Sequence, residues 1–511
     1  MAPPISALPP SPEEIHRAKL ARIREGPGGR LPSNVDWVHS LSPDERSEFE
    51  GSVLRKPSRS LSGVAVVAVM TSPARCPHGR CAYCPGGVEN ASPQSYTGEE
   101  PSALRGAQFH WDSEAITTNR LAVLEAAGHP TSKVEVIVMG GTFPARPRPF
   151  QEGVLRGIYD GLNETRSDSL EEAVRRNETA AHRMVGLTVE TRPDWCDERV
   201  LPFLLDAGVT RVEVGVECLR EEVLDAVGRA HDVGDVARAS RETRDRGLKV
   251  GYHLMLGLPG MDPGRDLADF ERMFESPDFR PDFLKIYPTL VLPGTPLYDD
   301  WRAGRYVPYD TETAVGVLAA MKRKLPPWVR IHRIQRDIPS RLIAEGVRTS
   351  NVRELAMARL RSEGGHCRCL RCREAGRRAS PAPDAFRPVE RAYDASGGRE
   401  VFLSWEDPET DTVVGFLRLR FPSDSTEAGL DAPVIRELKV LGREVPVGGS
   451  AGTAGQYQHR GFGRSLLDSA ENRARSAGYS RIYVTAAVGT REYYRARGYE
   501  RAGPHMVKPL S

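Results

Sequence analysis

Cysteine spacing constrains this chain more than any other feature. Cys76, Cys81 and Cys84 fall within nine residues, as Cys76-Pro-His-Gly-Arg-Cys81-Ala-Tyr-Cys84-Pro-Gly-Gly, directly after the apolar run 64–70. A second triplet, His366-Cys367-Arg-Cys369-Leu-Arg-Cys372, takes three more of the eight cysteines, and Cys196 and Cys218 stand alone. Triplets this tight read as metal ligands rather than disulfides. In the first, the glycines let the backbone wrap closely, and three thiolates suit an iron–sulfur cluster with one iron left open. That vacancy is where the amino and carboxylate groups of S-adenosylmethionine (SAM) chelate. The competing reading is a structural zinc completed by His78, but a zinc knuckle seldom opens a barrel at its catalytic face.

Apolar runs at 64–70, 134–139, 184–189, 212–216, 250–256 and 283–287 alternate with polar, helix-like stretches. Six such units predict an incomplete parallel βα barrel. Chemistry in these barrels sits at the carboxyl ends of the strands. The segments there hold the unusual residues: 71–87, 140–143, 190–194, Glu217, 257–260 and 288–289. A Pro/Ala/Arg-rich break at 375–388 then precedes a C-terminal unit. The expected division is a basic arm at 1–55, the barrel at 56–345, an Arg-rich metal-binding linker at 346–384 and the final domain at 385–511.

At 39% hydrophobic and 27% charged, the chain can bury two or three cores. The formal charge of +2 hides local extremes. Arg353 to Arg378 holds eight Arg and three Glu, and Lys322 to Arg336 holds six cations, Trp328 and no acid. Flanking one cysteine site, the two runs read as a footprint for a phosphate backbone, with Trp328 as a stacking surface; either alone would be a solvated face. No apolar run approaches the roughly 18 residues that span a bilayer, and no basic-then-apolar leader is visible, so a cytoplasmic protein is expected.

In the final domain, Ile435-Arg-Glu-Leu-Lys-Val440 reads as a strand. Gln458-His-Arg460-Gly461-Phe462-Gly463-Arg464 opens a helix whose Leu466, Leu467, Ala470 and Ala474 share one face before Gly478 ends it. Free N–H groups at such a helix start suit a pyrophosphate. A lone glycine pattern is weak, but this one precedes Ile482-Tyr-Val-Thr485 and Arg491-Glu-Tyr493-Tyr494, an order similar to GNAT-type acetyltransferases.

The chain as a whole resembles the catalytic subunit of Elongator in its stand-alone bacterial and archaeal form. The first cysteine motif carries the resemblance together with Leu61-Ser-Gly-Val-Ala-Val-Val-Ala-Val-Met70, Gln94-Ser-Tyr-Thr-Gly98, Val138-Met-Gly-Gly-Thr-Phe143, Gly186-Leu-Thr-Val-Glu-Thr-Arg-Pro-Asp194, Leu284-Lys-Ile-Tyr-Pro-Thr-Leu290 and Gln335-Arg-Asp-Ile-Pro-Ser340. It covers nearly everything after residue 55. The chain departs from the family pattern at Glu217-Cys218, Ala230, Leu256 and Ala486-Ala487.

The resemblance implies an α/β fold: a (βα)6-type radical SAM barrel, a zinc-binding linker and an α+β GNAT-type acetyltransferase domain. It implies a [4Fe-4S] cluster on Cys76, Cys81 and Cys84; for Cys367, Cys369 and Cys372 the spacing itself suggests a structural Zn2+ short of one ligand, with a second cluster as the rival. Gly140, Gly141 and Thr142 would approach the methionyl part of SAM, Glu190 and Arg192 its amino and carboxylate groups, and Glu217 its ribose. For acetyl-CoA, Glu437, Leu438, Lys439 and Val440 would line the acyl arm, and Gln458 with Arg460 to Arg464 would hold the pyrophosphate. Lys133 would reach toward CoA, and Tyr493 and Tyr494 would act at the thioester.

The implied reaction draws a hydrogen from the methyl of acetyl-CoA with a SAM-derived radical, joins the carbon to C5 of wobble uridine 34 of tRNA, and hydrolyses the thioester to leave 5-carboxymethyluridine. The implied partners are tRNA through its anticodon loop and an electron donor, with no membrane; a homodimer is left open. Two other readings stand beside this one: a protein lysine acetyltransferase with an ancillary radical SAM domain, and an RNA-binding scaffold whose cluster is structural.

Overall fold

The computed structural model describes residues 61–378, 380–423, 430–443, 445 and 455–510, so the expected arm at 1–55 lies outside the described residues. Its first half is one parallel sheet in sequence order: β1 (Ala65–Met70), β2 (Lys133–Met139), β3 (Arg183–Thr191), β4 (Arg211–Glu217), β5 (Lys249–Leu256), β6 (Phe283–Pro288) and β7 (Arg330–Ile334). Helices between the strands cover its outer face, so the strands read as near-continuous apolar runs; in β4 every residue is buried. β1 and β7 are the two edges, and the half barrel stays open between them.

β7 is one strand more than the six apolar runs predict. Its Arg-Ile-His-Arg-Ile sequence buries Ile331 and Ile334 and turns cations toward the interior, so no apolar run marks it. The basic stretch 322–336 is therefore a helix end followed by a sheet edge.

The second half is a seven-stranded sheet in the order β13-β14-β12-β11-β10-β9-β8, built from β8 (Arg387–Ala395), β9 (Gly398–Asp407), β10 (Thr412–Phe421), β11 (Val434–Val440), β12 (Arg481–Val484), β13 (Glu500–Ala502) and β14 (His505–Pro509). All neighbours are antiparallel except β11 and β12, which pair in parallel only at Val434 with Tyr483 and Ile435 with Val484. Beyond that point β11 runs on alone on that side. The helix Phe462–Ser476 packs Leu466, Leu467, Ala470 and Ala474 onto the sheet, forming a second core with Ile435, Ile482 and Met506.

The halves meet through buried ion pairs, beside apolar contacts made by Val488 and Trp328. Arg436 bonds Asp282 at 2.7 and 2.8 Å and Glu400 at 2.7 Å. Arg418 lies 3.3 Å from Asp282 and 2.9 Å from Glu437. Arg420 joins Asp245 to Glu400, and Arg491 reaches Glu178 at 2.8 Å. All four arginines are at most 1% exposed.

This seam corrects two expectations. Trp328 is stacked on Tyr393, with centroids 4.2 Å apart, and is packing rather than a platform for a base. Much of the arginine-rich stretch is also committed: Arg373 to Glu406 and Asp411, Arg377 to Glu374, and Arg359 to Glu312 and Glu363.

Two candidate cofactor sites in one lumen

At the carboxyl ends of the strands, a cavity is lined by Cys76, Tyr96, Gly141, Thr142, Glu190, Arg192, Glu217, Arg229 and Lys285, among others. Cys81 and Cys84 are buried beside it. Burial pushes all three thiols up, against the pull of Arg229 on Cys76 and Cys81. Each sulfur has a donor: Thr142 Oγ1 at 3.6 Å from Cys76, Arg229 Nη1 at 3.8 Å from Cys81, and the Ser95 N–H at 3.1 Å from Cys84. His78 Nε2 also lies 3.1 Å from Cys81 Sγ, and burial with the nearby Arg192 and Arg229 lowers its pKa to about 4.

The donor geometry tests what the two triplets fit. Among the described residues, the sets of three ligand-type side chains whose ligand atoms lie within 4.8 Å of one another are Cys367/Cys369/Cys372 and Glu190/Glu213/His253. The second triplet therefore has the compactness of a single tetrahedral ion, with metal–sulfur bonds of about 2.3 Å. His366 is not part of that set. The first triplet is spread more widely than one ion holds, as a cluster requires. In the carboxylate set, the Lys285 ammonium already occupies the cation position, 2.7 Å from Glu190 and bonded to Glu213.

Backbone conformation shapes this cavity. Gly140 has φ +121°, and a Cβ there would lie 2.4 Å from Thr71 Oγ1, so the strand end passes closely over β1. Glu217 has φ +67° just after a register shift at the end of β4, which turns its carboxylate into the cavity, 3.3 Å from Arg229. Arg192 is 3% exposed and doubly bonded to Asp194, yet its Nη1 has no partner. A buried, unpaired guanidinium N–H facing a cavity is costly unless an anion meets it.

The second cavity, about 250 Å³, lies at the other end of the half barrel. Lys133, Glu135, Arg211 and Lys249 line it from the first half, and Glu437, Leu438, Lys439, Val440, Gln458 and Tyr494 from the second. The divergence of β11 from β12 leaves the backbone of 437–440 facing it. Gly461, at φ +88°, starts the 15-residue helix with no side-chain cap and no acid in its first turn. Phe462 is buried, Arg464 is exposed and Arg460 turns back to the Gln456 carbonyl. A Cβ at Gly463 would sit 3.3 Å from the Tyr493 hydroxyl.

The tyrosines separate. Tyr493 lies under Arg497 near the helix start, while Tyr494 lines the cavity, and burial raises its phenol so that it keeps its proton.

A third, laterally open cavity shares Ser62, Val64, Glu135, Arg211 and Lys439 with the second, and Ser102, Met139, Lys285, Arg333 and Asp337 with the first. The third cavity thus adjoins both ends, and the three lie side by side along the barrel interior. The floor of that interior is a chain of ion pairs: Glu190 to Lys285 at 2.7 Å, Lys285 to Glu213, Glu213 to Arg211 at 3.2 Å and Arg211 to Glu135 at 2.6 Å.

Residues 70–273 match the Radical SAM superfamily, 281–362 the Radical_SAM C-terminal domain and 370–499 the Acetyltransferase (GNAT) family. The tRNA uridine(34) acetyltransferase of Methanocaldococcus jannaschii is 44% identical, covering 94% of this chain and 90% of its own length. The human Elongator complex protein 3 is 42% identical over 94% of this chain and 90% of its own. The chain belongs to the Elongator complex protein 3 family. A solved structure of the Methanocaldococcus infernus member, lacking its first 46 residues, superposes with a TM-score of 0.78 at 42% identity, covering 88% of this chain and all of the other.

Against that family background, the structure brings together residues that sequence reasoning did not single out. Lys285, Tyr96, Glu213 and His253 meet Glu190, with Tyr96 OH at 3.2 Å from Glu190 and His253 Nε2 at 3.0 Å from Glu213. Lys285 and Tyr96 lie within motifs quoted for the resemblance, which was the available signal. His253 opens the stretch in which Leu256 departs from the family pattern, whereas Arg211 and Glu213 had no signal, because charged residues in a strand read as its solvent face until the barrel interior is seen.

Proposed function

We propose that this Elongator complex protein 3 relative builds 5-carboxymethyluridine at uridine 34 of tRNA, taking two carbons from acetyl-CoA and a radical from SAM. The observation that carries the reading is the row of adjoining cavities inside one half barrel, which puts the acyl end and the cluster end of one chain on either side of a shared third cavity. Relatives named for acetyl transfer to this uridine support the substrate.

In this reading Cys76, Cys81 and Cys84 hold a [4Fe-4S] cluster. The unpaired Arg192 Nη1 meets the SAM carboxylate, Glu190 and the Gly141–Thr142 backbone its methionyl part, and Glu217 its ribose. When bound, the cluster and SAM supply the radical that takes hydrogen from the acetyl methyl. Gly461 to Gly463 offer N–H groups to the CoA pyrophosphate, Glu437 to Val440 the edge along which its arm lies, and Lys133 a phosphate contact. Tyr494, held protonated, donates to the thioester as it is hydrolysed. Cys367, Cys369 and Cys372 hold a zinc ion that staples the halves. The side opening, lined by Arg105, Arg330, Arg333 and Arg371, admits an unpaired anticodon nucleotide. An electron donor and a cytoplasmic setting complete the scheme.

A basic peptide, the substrate of the rival lysine acetyltransferase reading, would meet Lys133 and Lys439 at the acyl cavity, where Glu135 and Glu437 are already bonded to Arg211 and Arg418, and would be repelled. The test is nucleoside mass spectrometry of tRNA after incubation of reduced holoenzyme with SAM, acetyl-CoA and tRNA. Carboxymethyluridine is expected; acetyl-CoA consumed only with the basic peptide would overturn the reading.

A further inference from the structure

The acyl cavity contains an amine that the scheme above does not use. Lys249, the first residue of β5, lines it opposite Glu437–Val440 and Tyr494. The carboxylates lining the cavity already have partners, Glu135 in Arg211 and Glu437 in Arg418, and its other cations are Lys133, Lys439 and Arg436, the last bonded to Asp282. Among the described residues Lys249 forms no ion pair. Its neighbours Arg211 and Lys439 are also cationic, so its charge is poorly tolerated. Burial first, with Arg211 and Lys439 adding to it against the pull of Glu437 and Glu135, lowers its pKa to about 8. A lowered pKa enlarges the fraction of free amine, and the free amine of a lysine is a nucleophile.

We propose that Lys249 is a self-acetylation site, accepting the acetyl group from acetyl-CoA bound in this cavity when no tRNA is present. The proposal rests on acetyl-CoA occupying the cavity, as in the reading above. The Nζ lone pair attacks the thioester carbonyl, the C–N bond forms and the C–S bond breaks. The CoA thiolate leaves, and the proton lost by nitrogen neutralises it, with no oxidant required. The product is an uncharged acetamide that fills space where the acyl arm lies, so modified enzyme has a smaller and less cationic cavity.

The experiment incubates full-length, cluster-loaded protein with isotopically labelled acetyl-CoA without tRNA and follows each lysine by peptide mass spectrometry, with CoA binding measured separately by calorimetry. Lys249 is expected to label at least about tenfold faster than exposed Lys324, because the cavity holds both reactants together. Excess unlabelled CoA should suppress the Lys249 signal and leave Lys324 unchanged. Labelling should rise roughly tenfold per pH unit below 8 and flatten above it, as the amine deprotonates. Lys249→Arg should bind CoA and lose the fast-labelling site.

Labelling of Lys249 no faster than Lys324, or untouched by CoA, overturns the proposal. If CoA binds and Lys249 stays unlabelled, only this inference fails. If CoA does not bind, it is the functional reading that fails.

Discussion

Arg192 shows how a single side chain states what its cavity is for. Two of its nitrogens are satisfied by Asp194, and the third points into the cluster-side cavity with nothing to meet. Arg192→Ala should therefore weaken SAM binding by about 10- to 100-fold, the size of one lost charge-assisted contact, while the iron–sulfur absorbance persists. Loss of the absorbance along with binding would assign Arg192 to cluster assembly instead. Tyr494→Phe should still bind acetyl-CoA but slow tRNA-stimulated thioester hydrolysis by at least about tenfold, measured as CoA release; an unchanged rate would remove Tyr494 from the chemistry. The cysteines, Gly140–Thr142 and Arg192 were legible in sequence because each belongs to a short motif at a strand end. Lys285 and His253 lie in family motifs without a role that spacing reveals, and Glu213 and Lys249 acquire meaning only when strands distant in sequence place them in the barrel interior.

At the scale of elements, the informative departures are at strand ends. β7 escaped sequence reading because its cations mimic a surface, and β11 was legible as a strand but not as one that parts from β12 after two residue pairs. The helix Phe462–Ser476 was read correctly from its apolar stripe, and its bare amino end is what Gly463→Asp would spoil. That carboxylate would stand among N–H groups meant for an anion, so CoA affinity should fall by at least about tenfold while the cluster assembles normally. A variant that binds CoA normally would place the pyrophosphate elsewhere. Cys369→Ser should lower zinc content and thermal stability with iron content unchanged; a matching loss of iron would mean that the second triplet binds a cluster.

At the scale of the molecule, stability depends on groups that the sequence shows only as scattered charge. Asp282→Asn would leave Arg436 and Arg418 short of a buried partner and should cost about 3–5 kcal/mol in denaturant unfolding, whereas Asp282→Leu with Arg436→Met should cost less than either change alone. Equal or additive losses would show that the pair is not coupled. Acid should act in two stages. Burial lowers His332 and His505 to about 4, so the stability they contribute is complete above their ordinary value near 6.5 and is lost as pH falls from there toward 4. Burial alone would raise Glu406, but Arg391 and Arg373 overcome it and hold it at about 2, so its share is lost only below the ordinary carboxylate range near 4. Unfolding midpoints followed by circular dichroism should begin to decline below pH 6.5 and steepen below 4; a flat profile between 7 and 5 would refute the histidine contribution.

The charged seam also bears on how such a protein can change over generations. Two modules that meet through greasy patches can be shuffled, since almost any oily surface tolerates another. Arg418, Arg420 and Arg436 instead demand Asp245, Asp282 and Glu400 at fixed positions, and a foreign partner would strand several ions away from water at several kcal/mol each. A lineage carrying this seam can trade either half only for one that presents the matching charges at the same places.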